Sequence, residues 1–346
     1  MLATQAIFRT RDFALQSGQS LPELVLAYET YGALAPTRRN AILVTHGITS
    51  NHHAAGRYSA SDAQHGWWDR IIGPGKAIDT DRYFVVSSNS LGSCYGSTAP
   101  ASVNPRTGKR YGPGFPRLTI TDMVAAQRAL LDALGIPHLV AVAGPSYGGF
   151  QAFQWGVSFP DFMDGLVAAV SAPRDLAGQL AVDQLRALFA ADPAWNGGWH
   201  YDGDGMRDAM KRLRIRTLKE YGVDTQLAAA ISDPDARAAS LEIMAADWAG
   251  TFDPNSLLAL RQAWVGFDTE KDFAKIRAKL LYVLCTTDAV FPPSLAPDVM
   301  AKLESAGVDA AYFELESPFG HLALNPEANK WAPVLDAFLR RLPSDR

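Results

Sequence analysis

Cysteine is scarce in this chain of 346 residues, which holds two, Cys94 and Cys285. So few argue against a disulfide framework, and neither Cys-x-x-Cys nor His-Glu-x-x-His appears, so metal-ligand spacing is missing too. Cys285 lies in an apolar run and reads as a small buried hydrophobe, while Cys94 sits in a Gly/Ser-rich loop. A reducing cytoplasm suits both, and the expected compartment is cytoplasmic. The adjacent His52-His53 reads as loop rather than metal ligand, because neighbouring side chains point apart in most backbones. A large excess of one charge is also missing. The net charge of -4 argues against a nucleic-acid or anionic-membrane partner. No apolar stretch reaches membrane-spanning length, and Met1 to Arg9 lacks the basic-then-apolar order of a signal peptide. There is no internal repeat and no low-complexity tract.

What is present is 48% hydrophobic and 20% charged, ordinary for a globular chain with a large core. Strand-like runs over 24–28, 41–45, 83–87, 139–143 and 166–170 alternate with helical spacing over 121–134 and 150–159. Such alternation predicts a mostly parallel sheet with helices on both faces. From 175 to 268 the strand signal stops, and Ala- and Leu-rich helical stretches take over at 176–190, 207–221, 236–249 and 256–265. Strands return at 280–284 and 311–315, with a last helix near 333–342. The expected layout is a core of 1–174 and 269–346, interrupted by a helical cap of 175–268.

Gly144-Pro145-Ser146-Tyr147-Gly148-Gly149 sits between a strand and a helix. This is the Gly-x-Ser-x-Gly elbow of the α/β-hydrolases in its required context. The turn is so tight that side chains flanking the serine would clash, and Gly144 and Gly148 leave room. A serine hydroxyl needs a base within hydrogen-bond reach, and the base needs an orienting acid. On this fold the acid follows a late strand and the histidine follows the next. Asp288, after Leu284-Cys285-Thr286-Thr287, and His321, in Ser317-Pro318-Phe319-Gly320-His321, stand in those places. The oxyanion hole takes one N–H from the residue after the nucleophile, Tyr147, and one from the loop after an early strand, where Ile48 is the candidate.

Longer strings resemble the homoserine O-acetyltransferase family of α/β-hydrolases. They include Gly66-Trp67-Trp68, Gly73 to Thr80, Asn89 to Thr98, Asn104 to Gly108, Phe115-Pro116 with Thr119 to Asp122, and Asp192 to Gly198. The resemblance runs over nearly the whole chain. It implies an α/β-hydrolase fold with an inserted helical cap, often a homodimer through cap helices, and no metal. It also implies ping-pong transfer of an acetyl group from acetyl-CoA to homoserine. Ser146, Asp288 and His321 fall on the family's triad, and Ile48 and Tyr147 on its oxyanion positions.

The chain departs from the family at its acceptor site. Gly-His-Asp-Ala-Phe, whose Asp helps hold the substrate amino group, becomes Gly320-His321-Leu322-Ala323-Leu324. The family's cap string Gly-x-x-x-Ala-Arg, whose Arg binds the substrate carboxylate, aligns with Gly205-Met206-Arg207-Asp208-Ala209-Met210, with Arg207, Arg212, Arg214 and Arg216 nearby. The elbow has Pro145 and Tyr147 for Gly and Met, and the first loop reads His46-Gly47-Ile48-Thr49-Ser50 for His-Ala-Leu-Thr-Gly. Losing both charged contacts removes about 2–5 kcal/mol each from binding a desolvated zwitterion. A pocket lined by Met210 and Leu322 should therefore prefer an apolar acceptor or admit water, and water as acceptor turns transfer into hydrolysis. The leading expectation is a short-chain carboxylester hydrolase acting on a small-molecule ester, with no cofactor. The alternative is an acyltransferase using acetyl-CoA with homoserine or a related alcohol, for which cap arginines would offer a path for the CoA phosphates. A non-catalytic ligand-binding protein is the third reading.

Overall fold

The computed structural model describes residues 1–203 and 206–343. Gly205, which opens the cap string above, lies outside them. The chain enters the main sheet through an antiparallel hairpin, β1 (Gln5–Ala14) and β2 (Ser20–Tyr31). β3 (Ala41–Thr45) follows, then a small separate pair, β4 (Ile72–Gly73) and β5 (Ile78–Asp79), then β6 (Phe84–Ser88). Strands and helices then alternate through α1 (Ile120–Ala133), β7 (Leu139–Pro145), α2 (Tyr147–Ser158) and β8 (Met163–Ala169). The insertion carries α3 (Gly178–Ala190), α4 (Arg207–Glu220), α5 (Val223–Ala230), α6 (Pro234–Ala249) and α7 (Pro254–Ala263). β9 (Lys279–Cys285), α8 (Ala296–Ser305), β10 (Ala310–Leu315) and α9 (Ala328–Arg340) complete the fold.

The sheet order is β1-β2-β6-β3-β7-β8-β9-β10. β6 through β10 run parallel, and β2 is antiparallel to both its neighbours. β3 is buried at every position, as parallel strands covered on both faces must be, and its sequence is accordingly a continuous apolar run. The chain leaves β3 toward β6 and later returns to β7 on the other side. The carboxyl ends of β3 and β7 therefore border the crevice where open α/β sheets bind ligands.

The expected strands fall on β2, β3, β6, β7, β8, β9 and β10, and the helices fall within a few residues of those expected. Five elements were not anticipated: β1, the short pair β4 and β5, α5 and α8. β1 is an edge strand, exposed or half-buried throughout, and its Arg9, Arg11 and Asp12 blur the alternation that marks a half-buried strand.

The insertion is closed at its neck. The Asp175 N–H donates to Phe267 O at 2.7 Å, and the Thr269 N–H to Pro173 O at 2.9 Å. Leu218, Val223, Leu241 and Ala245 form a small core of its own. Met210, Leu213, Trp248 and Trp264 instead join the main core over the sheet, so the cap rests on apolar packing shared with it. Among the described residues no helix is long and apolar enough to cross a membrane.

Candidate active site

Ser146 stands between β7 and α2 with φ 54° and ψ -120°, a backbone state that costs a non-glycine residue of order 1–3 kcal/mol. Neighbouring bonds hold it there. Its N–H donates to Ala169 O at 2.8 Å, and its carbonyl accepts from Ser171 Oγ at 2.7 Å and the Gly149 N–H at 2.8 Å. The flanking glycines are required by contact. A Cβ on Gly144 would lie 2.1 Å from Thr45 Oγ1, and one on Gly148 would lie 2.2 Å from Thr45 O.

His321 Nε2 is 2.9 Å from Ser146 Oγ, and His321 Nδ1 is 2.9 Å from Asp288 Oδ2. Asp288 is held in turn, since its other oxygen accepts from the N–H groups of Val290 (2.8 Å) and Phe291 (3.1 Å). His321 and Asp288 are both buried. The imidazole lies between Tyr221 and Phe291, with ring centroids 4.8 and 5.7 Å away. Three loops thus deliver an acid, a base and a hydroxyl in one hydrogen-bonded line.

His46 anchors the loop after β3. Its Nε2 accepts from the Ser90 N–H at 2.9 Å and its Nδ1 donates to Gly47 O at 2.8 Å. Burial pushes its pKa down to about 4, so the ring is neutral near pH 7. Gly47 passes close to the elbow: a Cβ there would lie 3.9 Å from Ser146 Cβ. Ile48 follows, buried, on the wall of the cavity that holds Ser146. Tyr147 is the first residue of α2, so its N–H belongs to the first-turn groups that lack an intrahelical acceptor. Its side chain turns away into the core, where the hydroxyl donates to Leu260 O in α7 at 2.9 Å.

The cavity over Ser146 measures about 320 Å³. Leu322 lines it and is 36% exposed. Met210 does not line it. Met210 is buried in the main core, so its expected place in the pocket is corrected. Arg214, four residues further along α4 and so on the same helix face, reaches the cavity instead. Its Nη1 donates to Thr49 Oγ1 at 3.1 Å, and its guanidinium carbon lies 5.0 Å from the centre of the Trp248 ring. Its Nε is buried without a partner among the described residues, and burial lowers its pKa from the usual arginine value. Tyr221, Gln226, Trp67 and Asn325 complete walls that sequence reasoning had not assigned. Helical spacing from Met210 was the one signal that pointed to Arg214.

A second cavity of about 310 Å³ adjoins the first and shares Ile48, Thr49, Arg214 and Tyr221 with it. Arg216, Arg261 and Glu220 also line it, which gives three arginines against one carboxylate. Arg216 Nε faces Glu220 at 3.8 Å, and Arg261 Nε is buried without a partner among the described residues. The two cysteines are free, and His52 and His53 both turn toward the buried Glu29, at 3.8 and 3.1 Å, rather than apart.

A family model described as the alpha/beta hydrolase fold matches residues 40–327. A homoserine O-acetyltransferase of Methanosphaerula palustris is 39% identical over 94% of this chain and 70% of its own. Among solved structures, the homoserine O-acetyltransferase from Bacillus anthracis has a TM-score of 0.88 at 27% identity, covering 99% of each chain. Esterase E22 has a TM-score of 0.89 at 29% identity, covering 98% of this chain and 100% of its own. Five curated relatives named homoserine O-acetyltransferase lie at 36–39% identity over 94–98% of the chain. They correct the expectation of an ester hydrolase in favour of the acyltransferase alternative. The physical argument for hydrolysis fails with them, because it needed a pocket without a cation and Arg214 supplies one.

Proposed function

The chain belongs to the homoserine O-acetyltransferase family of α/β-hydrolases, and we propose that it moves an acetyl group from acetyl-CoA to the hydroxyl of homoserine or a related alcohol. Ser146 Oγ attacks the thioester carbonyl while its proton passes to His321 Nε2, 2.9 Å away. Asp288 holds the Nδ1–H and stabilises the imidazolium that forms. The N–H groups of Ile48 and Tyr147 meet the developing oxyanion. The C–S bond breaks, His321 returns the proton to the leaving sulfur, and an acetyl-serine ester remains. The acceptor hydroxyl then gives its proton to His321 and attacks that ester. Ser146 recovers its proton from His321 as the new ester departs. No metal enters any of these steps.

The observation that favours transfer over hydrolysis is the second cavity. It adjoins the one that holds Ser146, and Arg214, Arg216 and Arg261 line it. A phosphate-bearing acyl donor needs such a cationic approach, because phosphates taken from water require paired positive charge.

The test is to supply acetyl-CoA with an alcohol panel headed by homoserine, follow free thiol, and identify products by mass spectrometry. Thiol release that rises with alcohol concentration, with the acetyl ester as product, is expected. Acetate as the only product, formed at a rate independent of alcohol, overturns the reading.

A further inference from the structure

The cavity over Ser146 is electrostatically one-sided. Arg214 is the permanent cation on its wall, and among the described lining residues there is no Asp or Glu. Where the family carries an acid beside the histidine, Leu322 presents a partly exposed alkyl face. The polar wall groups that remain, Thr49, Ser50, Tyr221, Gln226 and Asn325, are neutral. Gln226 is committed in part, since its Nε2 donates to Phe319 O at 3.1 Å. The nearest acid on a shared wall, Glu220, lines the adjoining cavity, with Arg216 Nε 3.8 Å from its Oε1. Asp288 lies behind His321 and spends both oxygens on His321, Val290 and Phe291.

We propose that the preferred acceptor is an alcohol carrying one anionic group, such as a carboxylate, and no free ammonium, with Arg214 holding the anion and Leu322 packing where an amino group would otherwise be paired. The proposal rests on the transfer reading above and narrows its acceptor. A zwitterion brings two charges into a water-poor site, and each costs free energy unless paired. Here the carboxylate finds a guanidinium with a buried, unpartnered Nε, while the ammonium finds neutral dipoles, an alkyl group and the same Arg214 repelling it. An acceptor whose amino group is absent or acylated avoids that mismatch. Arg214 is built to serve as the anchor: Thr49 and the Trp248 ring fix its plane.

The experiment compares kcat/KM of the wild-type chain, with acetyl-CoA, for 4-hydroxybutyrate, N-acetylhomoserine, homoserine and 1-butanol. The two anionic alcohols are expected to exceed homoserine and butanol by about tenfold or more. Homoserine equal to or better than 4-hydroxybutyrate overturns the proposal and leaves the transfer reading standing. Acetate as sole product with every alcohol overturns the transfer reading and this proposal with it. Two variants localise the effect. Arg214→Gln is expected to raise KM for 4-hydroxybutyrate at least about tenfold and to lower the ratio of kcat/KM for 4-hydroxybutyrate to that for butanol by a similar factor. If it raises KM for acetyl-CoA alone, the anion on Arg214 belongs to the donor and the assignment is wrong. Leu322→Asp is expected to reverse the ratio of homoserine to 4-hydroxybutyrate, and an unchanged ratio removes Leu322 from the argument.

Discussion

Ser146, Asp288 and His321 stand on loops that leave parallel strands, whereas Arg214, Tyr221 and Gln226 reach the same cavity from α4 and α5 of the cap. On the sheet side Ser146 and Asp288 are held by short bonds to backbone groups, His321 is held between them, and little space is spare. Gly148 could not accept a methyl group without moving Thr45 O. On the cap side, side chains rest on other side chains, as Arg214 does on Thr49 and Trp248. The hydrogen-bonded triad sits on the sheet, and the opposite wall of the cavity sits on helices that pack over it. One side answers to backbone geometry and the other to helix packing.

The largest expected effect tests whether the sheet side alone makes the acyl-enzyme. Ser146→Ala should lower kcat for free-thiol release by at least about 10⁴, with thermal unfolding unchanged, because alanine accepts the same backbone. Transfer surviving that change would take the nucleophile away from the elbow. Next in size is the pH response of His46. Its folded pKa, about 4, lies below the unfolded value near 6.5, so the unfolded chain binds the proton first as pH falls. Its stability contribution is full above pH 6.5 and is lost between pH 6.5 and 4, by about 3 kcal/mol. Urea unfolding across that range should show the decline, and His46→Gln should flatten it.

A pair of glycines sharpens the contrast further. Gly148→Ala should cost about 1–3 kcal/mol in urea unfolding, since its Cβ would meet backbone that cannot yield. Gly250→Ala, at the end of α6 where the nearest atoms lie 3.5 Å away, should stay within about 0.5 kcal/mol. Equal costs would mean that the two regions are packed alike. The smallest effect is Tyr147→Phe, which removes the hydroxyl bond from core to cap at Leu260 O. It should cost about 1 kcal/mol in thermal unfolding and leave kcat within about twofold, because the backbone N–H remains. A fall in kcat beyond tenfold would mean that docking of the cap governs the chemistry.

The contrast also explains what was legible. β3, β7, β8 and β9 are buried on both faces and read as apolar runs, so their positions, and the loops after them, followed from sequence. β1, exposed at the sheet edge, carried no such pattern. In the cap, helical spacing marked α4 but not its orientation. A string alignment placed Met210 at the acceptor, yet Met210 is core and Arg214 faces the cavity.

By itself the sequence determined the elbow at Ser146 and the later positions of Asp288 and His321, because strand, turn and helix are local patterns and their order along the chain sets their order at the sheet edge. Only the tertiary structure decided that Arg214 lines the cavity that holds Ser146 and that three arginines line the adjoining cavity. A helix repeats its faces every turn, and which turn meets the cavity depends on how α4 seats against Trp248 and the core, a matter of packing between distant segments.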